Sequence, residues 1–380
     1  MKFQEVKTIQ KRLEIMEELS RKFLTRAAGK HEEGQFPYEN IKDLKEAGYT
    51  SLTIPKRNGG EGLSLYEFIR LQEKMAEGDG STALSIGWHM GIMKSLGEKN
   101  SWKESIYKNL CEKVKNGALM NNCATEPQTG SPTRGGKPVT SAVRDGHNWV
   151  LNGRKTFTTM APVLDYFNVS ATIADNGQIG NFLIPRTAEG VEIEETWDSI
   201  AMRGTGSHDL ILKNARVKEE ALVEIFEPGQ KGAAGWLLHI PACYLGIAQA
   251  AQTYAIDFAK KYSPNSINGA IIDLPNVQQK IGEMELELMR ARHFLYSVAK
   301  QWDEADELAR SIMQPELGAV KFAVTNAAIS VVDLAMRVVG ARSLSEKNPL
   351  QRYYRDVRAG LHNPPMDDMT IQVLAKHAIE

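Results

Sequence analysis

One ten-residue stretch concentrates groups suited to holding a polar ligand. Asn122-Cys-Ala-Thr-Glu-Pro-Gln-Thr-Gly-Ser131 mixes hydroxyls, amides, a proline and a glycine, so its backbone N–H groups and side chains can face one partner. The same composition also builds an ordinary turn. Elsewhere the reactive groups are sparse. Cys111, Cys123 and Cys243 stand far apart and are odd in number, which makes neither a disulfide framework nor a zinc pattern and fits a reducing compartment. There is no His-Glu-x-x-His and no paired Cys-x-x-Cys, so no metal site is expected. No Gly-x-Gly-x-x-Gly follows a strand, no Walker loop is present, and no Gly-x-Ser-x-Gly elbow occurs. Nicotinamide binding on a Rossmann unit and serine-nucleophile hydrolysis therefore have no support.

The elements that must position this stretch fall into three zones. The 380 residues carry 46 basic and 47 acidic side chains, a formal charge of −1, which gives no support for nucleic-acid binding. Hydrophobic residues at 42% and charged residues at 24% fit a soluble globular chain with a sizeable core. Val6, Ile9, Leu13, Met16, Leu19 and Phe23 step by threes and fours, the period of an amphipathic helix, and helical patterns continue to about Gly117. From Ala118 the period shortens. Asp145-Gly146 and Asn152-Gly153 are hairpin-type dipeptides between short strand candidates, which suggests an antiparallel sheet or barrel. From about Gly235 long helical patterns return, over roughly 236–262, 275–302 and 315–339, the last with Gly340 as its C-cap. The expected fold class is α+β: an N-terminal helical domain over 1–117, a central antiparallel β-barrel domain over 118–230, and a C-terminal four-helix bundle over 231–380. The charged start predicts no signal peptide, and the apolar stretch 236–256 is interrupted by His239, Pro241, Gln249 and Gln252, so no membrane span is expected there. A cytoplasmic location follows as an expectation.

The motifs, taken in order, resemble those of the acyl-CoA dehydrogenase family. Thr125-Glu-Pro-Gln-Thr-Gly-Ser131 is similar to the family's Thr-Glu-Pro-x-x-Gly-Ser run, which edges a flavin. Asn152-Gly-Arg-Lys-Thr-Phe-Thr-Thr159 resembles its Asn-Gly-x-Lys-x-(aromatic)-x-Thr strand. Pro55 to Ser64, Arg203-Gly-Thr-Gly-Ser207, Ala215-Arg-Val217 and Tyr354-Arg-Asp356 add further matches across nearly the whole chain. The resemblance implies FAD between the β domain and the C-terminal helices, or FMN in the family's monooxygenase branch. It implies that Thr125 and Thr159 hydrogen-bond the ring's polar edge and that Phe157 packs on the ring. Ser131 would lie near the flavin or the substrate mouth. Asn122, Ala124, Gly130 and Thr158 would complete the cofactor contacts, with Arg337 and Gly340 in the flavin loop of the C-terminal zone. The implied partners are an acyl-CoA or other small-molecule substrate, an electron-transfer flavoprotein or flavin reductase, and sister subunits in a homotetramer.

The sequence departs from the family at the catalytic base. Dehydrogenation of an acyl thioester removes an α-proton to a carboxylate while the β-hydrogen leaves as hydride. The family's Glu, about eight residues after the Arg-Asp pair, is replaced by Pro364 in His362-Asn-Pro-Pro365, and no acid lies between Glu227 and Asp257, where a minority place it. Asp367 and Asp368 are the displaced candidates. The family's Arg-Lys-x-Phe-Gly is replaced by Tyr262-Ser-Pro-Asn-Ser-Ile-Asn268, and its Gln-x-x-Gly-Gly loop reads Arg337-Val-Val-Gly-Ala341. His89, on an N-terminal helix, and His362 are placed like the histidines of two-component flavin monooxygenases, which lack the Glu and use imidazoles for proton relay during oxygen activation. The expectation is a flavin oxidoreductase of acyl-CoA dehydrogenase type. The alternatives are a reduced-flavin monooxygenase and a catalytically silent relative.

Overall fold

Residues 2–27, 34–129, 135–226 and 232–380 are described by the structure, a computed structural model. Five helices open the chain: α1 (Ile9–Ala27), α2 (Tyr38–Glu46), α3 (Leu65–Ala76), α4 (Gly80–Lys99) and α5 (Glu104–Lys115). Ser64 starts α3 with a capping box, accepting from Glu67 N–H while Glu67 reaches back to the Ser64 N–H. Asp79 starts α4 by accepting from Thr82 N–H. Small and apolar residues cover α4 on every side, so it is buried rather than amphipathic and runs through the centre of the molecule.

Eight strands follow: β1 (Met120–Cys123), β2 (Ser141–Asp145), β3 (Asn148–Lys155), β4 (Tyr166–Ile173), β5 (Ile179–Pro185), β6 (Val191–Glu194), β7 (Asp209–Lys218) and β8 (Leu222–Phe226). Among the described residues they form one sheet in the order β6-β7-β3-β2-β4-β5-β8, with β1 added beside β4. This corrects the expected antiparallel barrel in two respects. The sheet is mixed, because β1 and β2 each run parallel to β4, and no pairing joins the outer strands β6 and β8, so the sheet is not closed. Asp145-Gly146 turns the β2–β3 hairpin as expected, with Gly146 at φ 60°. Asn152-Gly153 does not turn the chain. It forms a bulge inside β3 where the register against β7 shifts between Leu151 and Gly153. A Cβ on Gly153 would stand 2.3 Å from the Thr140 hydroxyl, which accounts for glycine at that point.

The C-terminal unit has three long helices, α6 (His239–Lys261), α7 (Pro275–Glu304) and α9 (Gln314–Val339), with the shorter α8 (Glu307–Ile312), α10 (Pro349–Arg358) and α11 (Asp367–Ile379). Gly340 follows α9 at φ 70°. One stretch, 314–344, is long and apolar enough to cross a membrane by length and composition, and the helix it contains lies against α6 and α7 in the core. Helices of the first and last units pack together through α3. Asp303 of α7 accepts from Leu65 N–H and Tyr66 N–H at 2.7 and 2.8 Å, and Arg292 of α7 pairs with the buried Glu73 at 2.7 Å. A contiguous apolar cluster runs from α1 through the sheet to α10.

Candidate functional site

The two strongest motifs are joined by a buried ion pair. Parity along β3 places Trp149 and Leu151 inward and, after the bulge, Lys155 as well. A lysine on a core-facing position needs a partner. Lys155 Nζ lies 2.6 Å from Glu126 Oε1, and both side chains are enclosed. Glu126 also accepts from Val139 N–H at 2.6 Å and Thr140 N–H at 2.9 Å. Burial opposes ionisation of Glu126, but the hydrogen bonds from Lys155 and Thr140 win and hold its pKa below the usual carboxylate value. Burial pulls Lys155 down despite the carboxylate beside it. The Thr-Glu-Pro motif is therefore a structural post at its Glu. Its Thr is tied to the other motif through Thr156 N–H donating to Thr125 O at 2.9 Å. Neither Glu126 nor Lys155 was an expected site residue; the signal was a charged side chain on the buried parity of a strand.

Beyond Lys155 the chain makes a tight turn. Phe157 has φ 54° and Met160 φ 66°, and Thr159 N–H bonds Phe157 O at 2.9 Å. A bulky residue held in the left-handed region costs about 1–3 kcal/mol and marks an over-determined, often functional, segment. Here the restraints are explicit. Thr158 N–H donates to His208 O, Met160 N–H to Thr205 O, and Asn121 Nδ2 to Thr159 O. The strained geometry leaves Phe157 62% exposed, with Trp197 edge-on at 6.0 Å. Thr159 is half-buried, and its hydroxyl lies 2.9 Å from that of Ser207.

The expected cofactor residues divide. Thr125 and Ala124 are half-buried and Asn122 is exposed, accepting from Asn168 at 2.8 Å. The hydrogen bonds from Thr156 and Asn121 bring this strand end against the Phe157–Thr159 turn. Thr158 is fully buried in the turn, its hydroxyl beside the Cys123 thiol, which burial pushes up to about 12. Gly130 and Ser131 lie outside the described residues. Arg337 and Gly340 sit at the exposed end of α9, Arg337 pairing with Asp333 at 2.7 Å, and among the described residues no hydrogen bond joins them to the Phe157 turn.

The candidate acid–base groups also divide. His89 lies in the core. It is fully buried, Nδ1 accepts from Met120 N–H at 3.1 Å, and Nε2–H donates to Thr50 O at 3.1 Å. Both nitrogens are spent on backbone, and burial lowers its pKa to about 4, so it is a neutral clamp between the N-terminal helices and β1. His362 is exposed in the segment after α10. The next residue, Asn363, is anchored by the hydroxyl of Tyr244, whose ring is buried in α6. Asp367 accepts from the buried Lys321 at 3.1 Å and from Asn326 at 3.0 Å, so it is a structural acid. Asp368 is exposed on the first turn of α11. His239, which interrupts the apolar stretch 236–256, belongs to none of the sequence motifs. It is fully buried, neither nitrogen has a hydrogen-bond partner among the described residues, Trp236 stacks on it and Trp88 meets it edge-on, and burial lowers its pKa to about 3. The Trp236-Leu-Leu-His239 spacing at the start of the apolar helix was the available signal. Asp356, in α10, is buried and accepts from Met202 N–H at 2.7 Å; burial raises its pKa to about 6.

Comparison with known proteins agrees with this architecture. Sequence profiles of the acyl-CoA dehydrogenase N-terminal, middle and C-terminal domains match residues 10–99, 121–215 and 238–363. The chain is 56% identical over 370 residues to "Putative acyl-CoA dehydrogenase YdbM" of Bacillus subtilis (strain 168), covering 96% of each. Its fold matches FMN-bound TdsC from Paenibacillus sp. A11-2 with TM-score 0.86 at 21% identity, covering 96% of each chain; that protein is described as a dibenzothiophene monooxygenase. It matches butyryl-CoA dehydrogenase from Megasphaera elsdenii with TM-score 0.83 at 19% identity, covering 99% of each.

Proposed function

The chain belongs to the acyl-CoA dehydrogenase family, and from that premise we propose that it is a flavin-dependent oxidoreductase whose ring lies against the Phe157–Thr159 turn. The observation that carries this reading is the turn itself: an exposed aromatic ring in a strained conformation, with the hydroxyl-bearing Thr159 two residues on. These residues fit an isoalloxazine ring. Phe157 supplies apolar packing, and Thr159 with Thr125 supplies polar contacts at one edge. When bound, the flavin provides a two-electron acceptor or donor. The chain's own residues do the rest: Lys155 and Glu126 fix the Thr125 loop to β3, and the strap around Thr205 and Ser207 fixes Thr159.

In the first reading the substrate is an acyl thioester and Asp368 takes its α-proton; the flavin would supply the acceptor for the β-hydrogen and its electron pair, and an electron-transfer flavoprotein the onward oxidant. FAD is the cofactor in this case. A second reading is favoured by one observation: Asp367 is committed to Lys321 and Asn326, while His362 stands exposed in a braced segment. Here a flavin supplied reduced by a reductase would provide the oxygen chemistry toward a small organic substrate, and His362 would hold or move a proton beside it. The homotetramer remains part of the proposal, supported by the exposed apolar residues Leu286, Met289, Leu308, Ile312 and Leu344 on the C-terminal helices.

The test is anaerobic titration of flavin-loaded protein with acyl-CoA thioesters of several chain lengths, followed by mixing of reduced-flavin protein with oxygen. Bleaching by a thioester that is lost in Asp368→Asn and kept in His362→Ala supports the first reading. No bleaching, with oxygen turnover that becomes peroxide release in His362→Ala, supports the second. Neither activity in the unmodified protein leaves the silent relative.

A further inference from the structure

Four oxygen atoms form a row behind the Phe157–Thr159 turn. Thr159 Oγ1 is 2.9 Å from Ser207 Oγ, Ser207 Oγ is 2.8 Å from Thr205 Oγ1, and Thr205 Oγ1 is 3.0 Å from the Met202 carbonyl oxygen. Thr205 and Ser207 are buried. Each hydroxyl has one proton to give, and a carbonyl oxygen can only accept. Thr205 therefore gives its proton to Met202. Its oxygen then accepts from Ser207, and the Ser207 oxygen accepts from Thr159. The direction of the whole row is set at its far end. Met202 is itself fixed there: its N–H donates to Asp356, its carbonyl also accepts from Thr205 N–H at 3.1 Å, and its φ is 52°.

The consequence appears at the near end. The Thr159 proton points inward to Ser207, so the hydroxyl presents lone pairs to whatever docks against Phe157. Oxidised flavin has an acceptor at N5, whereas reduced flavin carries a proton there and donates. We infer that Ser207 and Thr205 are positioning residues that hold Thr159 as an acceptor and thereby bias the site toward reduced flavin. The inference rests on the flavin reading above and takes the polar edge that Thr159 meets to be the one carrying N5. For Thr159 to donate to the oxidised ring, the row must lose one of its hydrogen bonds, either Thr159–Ser207 or, if Ser207 turns to donate to Thr159, Ser207–Thr205. One net hydrogen bond corresponds to a bias of about two- to tenfold. About fivefold, at about 30 mV per tenfold for a two-electron couple, is a potential shift of about 20 mV. By linkage, the affinity ratio and the potential shift report the same quantity.

The experiment measures the affinities of oxidised and of anaerobically reduced FMN and FAD for the unmodified protein and four variants. Ser207→Ala and Thr205→Val each release the row, so each should lower the reduced-to-oxidised affinity ratio by about fivefold. Thr205→Ser keeps the terminal hydroxyl and should retain the original ratio, which separates polarity from packing damage. Thr159→Val removes the contact and should weaken binding of the reduced ring most. A ratio unchanged in Ser207→Ala and Thr205→Val, while Thr159→Val alters it, overturns the inference and leaves the flavin reading standing. If Thr159→Val changes neither affinity, the flavin reading falls and the inference with it. Should Thr205→Val fail to fold, Ser207→Ala carries the same decision alone.

Discussion

Replacing Lys155 by methionine isolates the post on which the site stands. The substitution keeps the length of the stem and removes the ammonium 2.6 Å from Glu126 Oε1. Glu126 is then left enclosed, with the backbone N–H groups of Val139 and Thr140 and the Thr129 hydroxyl as its remaining partners among the described residues. Breaking one side of a buried ion pair costs about 3–5 kcal/mol, because the survivor is an uncompensated buried charge. The two backbone bonds place the expected loss toward about 3 kcal/mol. The loss should be partly undone in the double variant Lys155→Met with Glu126→Gln, since the amide is neutral and its one oxygen still accepts from one of the two N–H groups, which meet different carboxylate oxygens. The assay is urea unfolding at pH 7 followed by fluorescence, with flavin affinity measured beside it. Affinity should fall in the single variant, because the Thr125 loop loses its anchor to β3. A loss below about 0.5 kcal/mol, the range of ordinary surface changes, or no recovery in the double variant, would refute this account of the Thr-Glu-Pro motif.

The remaining predictions concern protons and assembly. His89 and His239 are neutral when folded, with pKa values lowered to about 4 and about 3, so the unfolded chain takes up protons that the folded one cannot below about pH 6.5. Stability should be full above that pH and fall on the order of 3 kcal/mol for His89 by pH 4; His239→Leu should flatten the slope, and identical pH profiles would contradict it. Asp356 has the opposite sign. Its folded pKa is raised from 3.8 to about 6, so its contribution favours the folded state at low pH and is lost as pH rises through about 6. Asp356→Asn should therefore gain most relative to the unmodified protein at pH 7 and least near pH 4, as read by unfolding at the two pH values. Light scattering at micromolar concentration should give a tetramer, or at least a dimer; a stable monomer would count against the proposed assembly.

The three-zone order was legible because period is a local property. Val6 to Phe23 step as a helix must, and the long C-terminal helices end where Pro264 and Gly340 stop them. What was not legible depended on partners distant in sequence. Closure of the sheet is decided by whether β6 meets β8, which no local pattern encodes. Asn152-Gly153 carries a turn dipeptide, yet pairing with β7 on one side and Thr140 on the other made it a bulge. The flavin-edge residues were reached through resemblance, whereas the exposure and left-handed backbone of Phe157 required coordinates. His89 shows the reverse case. An imidazole on an apolar helix invited a chemical role, but Thr50 and Met120, brought in from separate segments, use both of its nitrogens.

The most direct test is equilibrium binding of FAD and FMN to the unmodified protein and to Phe157→Ala, followed by changes in flavin absorbance and fluorescence. The proposed site predicts a defined stoichiometry with a perturbed flavin spectrum, and at least a tenfold weaker affinity, about 1.4 kcal/mol, when the exposed ring is removed. Absence of binding by either flavin, or equal affinity and an identical bound spectrum in Phe157→Ala, would contradict a flavin held against the Phe157–Thr159 turn.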